Sequence, residues 1–263
     1  MTMQSTLDLF DVDHDVPRLS IAFRSGMSAV GDFRGGAAAG AAIGVVAGEL
    51  PSVLVFLAAP RLLAEGGALF VDSGAFSEVK TGDEPDFNAV LTVYSAISGA
   101  TKRREDRARL FVVAPDKVGD QLETLARLAR YRSRMRALID QGCSVIVPVQ
   151  RGALSAAEML DRIADVLGTR NFVAGIPANK DALSIADCAT LRHDRFHILG
   201  RVQINQDQAA RIHALTFKNP GAVLTADANW LRGKLGDVTR LSQDMTRARA
   251  VEAAIRQDAT WAR

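Results

Sequence analysis

Eight short apolar runs rich in β-branched residues, nearly all separated by stretches of helical periodicity, predict an α/β fold built as a single (β/α)8 TIM barrel. Polar residues end most of the later runs, as a ring of loops around one mouth requires. No linker rich in Pro, Gly or Ser divides the chain. An open doubly wound sheet is the competing arrangement, but it would need an edge and a switch point.

At 48% hydrophobic and 24% charged, the 263 residues can bury a large core, which excludes disordered and fibrous classes. The formal net charge is +2, so attraction to nucleic acid would have to come from local clusters of Lys and Arg. Cys143 and Cys188 lie in or beside apolar runs, as reduced core thiols do, and point to a cytoplasmic protein. Residues 1–18 form an acidic segment (Asp8, Asp11, Asp13, Asp15) without the basic and apolar regions of a secretory signal; residues 19–263 are assigned to the barrel and an Arg-rich C-terminal helix. The apolar stretch 35–48 is shorter than the roughly 20 residues a membrane span needs. No membrane contact is expected.

In order, the runs at 19–23 and 53–57 are read as strands one and two. Between them Gly36, Gly40, Gly44 and Gly48 recur every four residues, which on a helix would line one close-packed face; a phosphate-cradling loop is the alternative, but no P-loop Lys follows. The run at 68–71 is strand three. The polar stretch 80–87 is expected to loop over the mouth. The mixed-charge run 101–109 is a solvated helix face or, alternatively, a phosphate contact. Strand four is 110–114. An amphipathic helix with an arginine-rich outer side spans 121–141, closed by Gly142. Strand five is 144–149, and Ser155 with Glu158 forms a capping box for the next helix. Strands six, seven and eight are 171–175, 196–200 and 222–227, and the remainder from 241 is mostly helix.

The residues following these runs are Asp72, Ser73 and Phe76 after strand three, Asp116 and Asp120 after strand four, and Gln150 after strand five. Gly175 ends strand six, Gly200 strand seven, and Asp227 and Asn229 strand eight. Carboxylates and a carboxamide without a Cys/His cluster do not make a transition-metal site, and no Ser-His pair stands among them. No metal or other cofactor is expected. Two carboxylates at one reacting centre suit glycosyl transfer. An ionised Asp accepts from the adjacent N–H groups of a guanine edge, Gln150 can donate to the carbonyl, and Phe76 offers a stacking face. Each residue also has a plainer reading. Asp72 can form an Asp-Ser-Gly turn, Asp227 can cap a helix, and of Asp116 and Asp120 one reads the ligand while the other caps a helix or braces the site. His197 reads as a hydrogen-bonded core residue, and Trp230 as core or stacking.

The segment 72–76 (Asp-Ser-Gly-Ala-Phe) resembles the Asp-Ser-Gly-Gly-Phe of the tRNA-guanine transglycosylases and of their DNA-modifying relatives, the 7-deazaguanine DNA transglycosylases. The order of parts is similar from about Val71 to Trp230. The resemblance implies that Asp72 is the general acid/base, Phe76 the stacking aromatic and Asp116 the base reader, with Gln150 in Val149-Gln150-Arg151-Gly152 reading the base beside it. It also implies that the backbone near Gly175 touches the base, that His197-Ile198-Leu199-Gly200 matches a His-Leu-Met-Gly strand end, and that Asp227 is the nucleophile. The stretches around Asp116 and Asp227 read closer to the DNA-modifying branch. Two departures stand out: Ala75 replaces the second Gly, and no Cys follows Cys188 to build the zinc site of the tRNA enzymes.

The expected activity is therefore exchange of guanine in nucleic acid, DNA favoured over tRNA, for a 7-deazaguanine base. Arg201, Arg232 and Lys234 are the candidate phosphate contacts, and a homodimer or a helper protein is the candidate for completing a nucleic-acid groove. A non-catalytic nucleic-acid-binding barrel and a nucleoside or N-glycoside hydrolase are the competing functions.

Overall fold

The computed structural model describes residues 19–178, 183–200, 205–231, 234 and 246–258. Eight parallel strands close into a barrel in sequence order: β1 (Ile21–Ser25), β2 (Ile43–Val46), β3 (Leu69–Asp72), β4 (Leu110–Val113), β5 (Ser144–Pro148), β6 (Val173–Pro177), β7 (Arg195–Leu199) and β8 (Val223–Asn229). Closure runs through β8 and β1, with Phe23 opposite Asp227 and Ser25 opposite Asn229. The helices between strands are α1 (Val30–Ala38), α2 (Ala59–Ala64), α3 (Ala75–Thr81), α4 (Phe87–Ala100), α5 (Arg104–Arg107), α6 (Gln121–Arg130), α7 (Arg132–Gln141), α8 (Ala156–Leu167), α9 (Ile185–Thr190) and α10 (Gln206–Lys218). Helix α11 (Arg247–Gln257) follows β8.

Strand period sorts the apolar residues into two cores. Leu69, Val71, Val112, Val145, Val147, Ala174, Ile198 and Ala226 face the helices. Phe23, Phe70, Phe111, Val113, Ile146 and Val173 fill the barrel. Successive side chains on a strand point to opposite faces. Asp72 therefore continues the interior series of Phe70, and Asp227 continues that of Thr225, so both acids point inward at the C-terminal end. Phe23, Phe70, Phe111 and His197 pack ring on ring beneath them, with Phe70 and His197 stacked at 5.0 Å.

Local chemistry ends the elements where expected in several places. Ser155 and Glu158 form the reciprocal capping box of α8, and Gly142 closes α7 with φ +102°. Cys143 and Cys188 are buried free thiols. Among the described residues, no helix is long and apolar enough to cross a membrane.

Four expectations are corrected. The second strand is Ile43–Val46, not 53–57; residues Leu54–Ala58 are helical and run on into α2, burying Leu54 and Val55 while Phe56 and Leu57 face outward. The glycine series accordingly does not share one helix. Gly36 lies in α1, Gly40 turns the chain at φ +69°, and Gly44 is in β2. The helix at 121–141 is two helices meeting at Tyr131, its Leu122 is exposed and its Arg127 is buried. In the run 101–109, at the end of the barrel opposite the inward-pointing acids, Lys102, Arg103, Arg104 and Glu105 are exposed, as a solvated face requires, while Arg103 and Arg109 hold the buried Asp106 and Arg109 also donates to the carbonyls of Leu63 and Gly67. The stretch 80–87 is not a loop over the mouth: Lys80 and Thr81 end α3, Phe87 begins α4, and only 82–86 form a short turn between them. The acidic segment 1–18, Arg201 and Arg232 lie outside the described residues.

Candidate active site

A cavity of about 170 Å3 opens at the C-terminal ends of the strands, lined by Phe70, Asp72, Ala75, Phe76, Val113, Asp116, Val118, Pro148, Gln150, Pro177, Ala178, Leu199, Gly200 and Asp227. Six residues singled out from the sequence meet there: Asp72, Phe76, Asp116, Gln150, Gly200 and Asp227.

Asp227 is the most heavily braced of the acids. Its Oδ1 accepts from the Gly200 amide at 2.8 Å and faces His197 Nε2 at 3.3 Å, and its Oδ2 accepts from Ser25 Oγ at 3.2 Å. Three donors around one carboxyl match the acceptor-only inventory of an ionised carboxylate. On that reading Nε2 carries the imidazole proton, and Nδ1 meets Thr225 Oγ1 at 2.7 Å. Two glycines make the brace possible. Gly200 sits at φ +81°, a conformation that costs a side-chain-bearing residue, and a Cβ at Gly44 would collide with Ser25.

Asp72 is placed differently. Its Oδ1 accepts from the Gly74 amide at 3.1 Å, the turn contact expected of Asp-Ser-Gly. Burial, then the nearby Asp227 charge, push its carboxyl up to about 6, with backbone donors at Gly74 and Ser73 pulling the other way. A carboxyl held near neutrality can carry a proton; its braced neighbour is built to accept.

The opposite wall is a second polar unit. Gln150 donates from Nε2 to Asp116 Oδ2 at 2.9 Å and accepts from the Gly119 amide at Oε1, 3.1 Å. With its oxygen committed, Gln150 can offer a ligand its remaining N–H, while Asp116 keeps Oδ1 for accepting. Burial and the Asp72 charge raise the Asp116 carboxyl to about 7. The pair thus presents a donor beside an acceptor, complementary to a cis-amide edge. Phe76, 56% exposed, stands at the rim with Lys80 Nζ 5.4 Å from its ring centroid.

Other candidates are placed outside the cavity. Ser73 is buried and accepts from the Ala75 amide, shaping the turn. Asp120 is the N-cap of α6, accepting from Glu123 N at 3.0 Å, which leaves Asp116 as the one of the two acids that lines the cavity. Gly175 lies in the sheet with its carbonyl bound to the Val149 amide, and a Cβ there would come within 2.9 Å of Ile146 and 3.1 Å of Leu199; its glycine serves packing. Asn229 ends β8 with its side-chain oxygen against Gly26. Trp230 is buried with Arg24 over its ring, and exposed Lys234 faces Asp258 at 3.7 Å. The reading of residues missed Ser25 and Thr225, which brace Asp227 directly and through His197. Their sole signal was an inward strand position beside the acid. Among the described residues, no cluster of His, Cys, Asp and Glu is arranged to hold a metal ion.

No family model and no curated protein matches the chain. Solved structures do match in fold. A putative fructose-1,6-biphosphate aldolase from Coccidioides immitis superposes with a TM-score of 0.55 at 11% identity, covering 90% of this chain and 87% of its own. A D-allulose 3-epimerase from Methylomonas sp. (TM-score 0.46, 12% identity, 91% and 94% coverage) and a beta-methylaspartase from Clostridium tetanomorphum (0.44, 11%, 93% of this chain and 59% of that chain) are more distant. At such identity the aldolase likeness establishes the (β/α)8 barrel and leaves the chemistry to the site itself.

Proposed function

We propose that this protein is an enzyme, a transglycosylase that exchanges guanine in nucleic acid, DNA favoured over tRNA, for a 7-deazaguanine base through a covalent aspartyl-glycosyl intermediate. The observation that carries the reading is one cavity in which Asp72 and Asp227, 155 positions apart in the chain, face the Asp116–Gln150 pair. Asp227 attacks the anomeric carbon as the bond from that carbon to guanine N9 breaks, and Asp72 gives its proton to the departing nitrogen. The incoming base then attacks the same carbon, its N9 proton passing to Asp72 as the bond to Asp227 breaks, which restores both acids. Asp116 Oδ1 accepts from the ring N–H and Gln150 donates to the adjacent carbonyl, while Phe76 covers the base face. The target nucleotide must leave its stack to reach carboxylates at the bottom of a mouth.

Incubation of the protein with labelled guanine and either duplex DNA or tRNA tests the reading. Incorporation into one of them, abolished in Asp72→Asn, supports it. Release of free guanine with no incoming base required would assign hydrolysis instead, and salt-sensitive binding without either reaction would assign the non-catalytic barrel.

A further inference from the structure

Arg127 lies on the mouth side of the barrel wall, 2% exposed, and all five of its N–H groups are used. Nε donates to Glu123 Oε1 at 3.0 Å. Nη1 donates to Glu78 Oε2 at 2.8 Å and to the Asp116 carbonyl at 2.7 Å. Nη2 donates to Glu78 Oε1 at 3.0 Å and to Glu84 Oε2 at 3.3 Å. The guanidinium also stands 5.3 Å from the ring centroid of Phe87 at the start of α4, and Lys117 Nζ meets Glu78 at 3.1 Å. Stability alone is a poor account of this arrangement, because apolar packing of similar volume commonly does as well as a buried ion cluster. What the cluster does specify is geometry. Glu78 is in α3, two residues beyond Phe76. Asp116 supplies its carbonyl to Arg127 and its carboxyl to the cavity. Neither Arg127 nor Glu78 lines that cavity.

We propose that Arg127 is a positioning residue whose bidentate grip on Glu78 and single bond to the Asp116 carbonyl set the width of the slot between Phe76 and Asp116. A flat heteroaromatic ligand then stacks on one wall while hydrogen-bonding to the other. Arg rather than Lys is required, since a planar fork reaches α3, the 82–86 turn and the loop after β4 at once, whereas an ammonium is a point charge with three donors. The identity of the ligand as a 7-deazaguanine rests on the proposed function; the clamp itself does not.

The test uses the full chain carrying Arg127→Lys or Glu78→Gln, the second keeping Arg127 and its remaining partners in place should the first fail to fold. Amide hydrogen exchange compares α3 with the barrel strands, and calorimetry measures binding of a free 7-deazaguanine base. The clamp predicts that exchange in α3 accelerates by about tenfold or more while the strands keep their protection. It also predicts that the base binds about tenfold or more weakly, as expected for a misplaced wall. The double variant should loosen α3 little further than either change alone, because both cut the same contact. Protection lost equally from α3 and the strands, or base affinity unchanged in a folded variant, overturns the proposal. If the wild-type protein binds no such base, the transglycosylase reading falls, and the behaviour of α3 alone decides the clamp.

Discussion

Three acids in one cavity cannot all be ionised without cost, and their surroundings divide the labour. Burial and mutual repulsion lift Asp72 to about 6 and Asp116 to about 7, whereas Asp227 collects three donors. Base exchange needs Asp72 protonated at first, which favours lower pH, and Asp116 ionised to accept from the ring N–H, which favours higher pH. The proposed enzyme should therefore show a bell-shaped pH dependence of kcat/KM with its maximum between these values, and Asp116→Asn should remove the rising limb; a profile that climbs steadily to pH 9 contradicts the assignment. His197→Phe keeps a ring against Phe70 but deletes the donor to Asp227. Hydrogen bonds to charged groups are worth about 1.5–3 kcal/mol, so exchange should slow by about tenfold to a hundredfold, and the protein should also melt several degrees lower because Asp227 and Thr225 each lose a buried partner. Equal rates in the two proteins would remove His197 from the mechanism. At this scale the acids were legible because each stands where an apolar run stops. Arg127 was not, because Glu78 is 49 residues away and an arginine among arginines reads as a solvated face.

Elements were legible in proportion to their punctuation. The strands ending at Asp72, Gln150, Gly200 and Asp227 stop at polar residues or turns, and α8 begins at a capping box, so their places could be read within a few residues. The second strand was missed because an apolar run of five gives no period by which a strand and a buried helical turn differ. In the folded chain Leu54 and Val55 are buried side by side and the next two residues are exposed, a helical pattern. Gly175 shows how a glycine stays ambiguous in sequence: the backbone near it was expected to touch a base, and in the structure Pro177 and Ala178 of that strand end line the cavity while Gly175 itself is needed for packing. Gly175→Ala would press a methyl group against Ile146, Leu199 and Pro148 and should destabilise the protein by about 1–3 kcal/mol in chemical denaturation. A change below a few tenths of a kcal/mol would show that β5, β6 and β7 have room to spare.

For the whole molecule, closure of the sheet is what turns a linear list of strand ends into a site. The register pairs Val46 with Asp72 on one side of the barrel and Phe23 with Asp227 on the other, and the aromatic plug of Phe23, Phe70, Phe111 and His197 keeps water and substrate from passing below the acids. The fold class and the convergence of the distant carboxylates followed from periodicity and strand order. Which hydrogen-bonding edge each residue presents did not, since that depends on tertiary partners such as the Gly119 amide on Gln150. The proposed function depends above all on a covalent bond between Asp227 and the sugar of a nucleic acid. Mass spectrometry of the acid-quenched protein after mixing with guanine-containing DNA or tRNA measures this directly. A glycosyl adduct mapped to the peptide containing Asp227 and lost in Asp227→Ala is the expected result; no adduct with either nucleic acid under conditions where base exchange proceeds, or an adduct on any other residue, rules out Asp227 as the nucleophile.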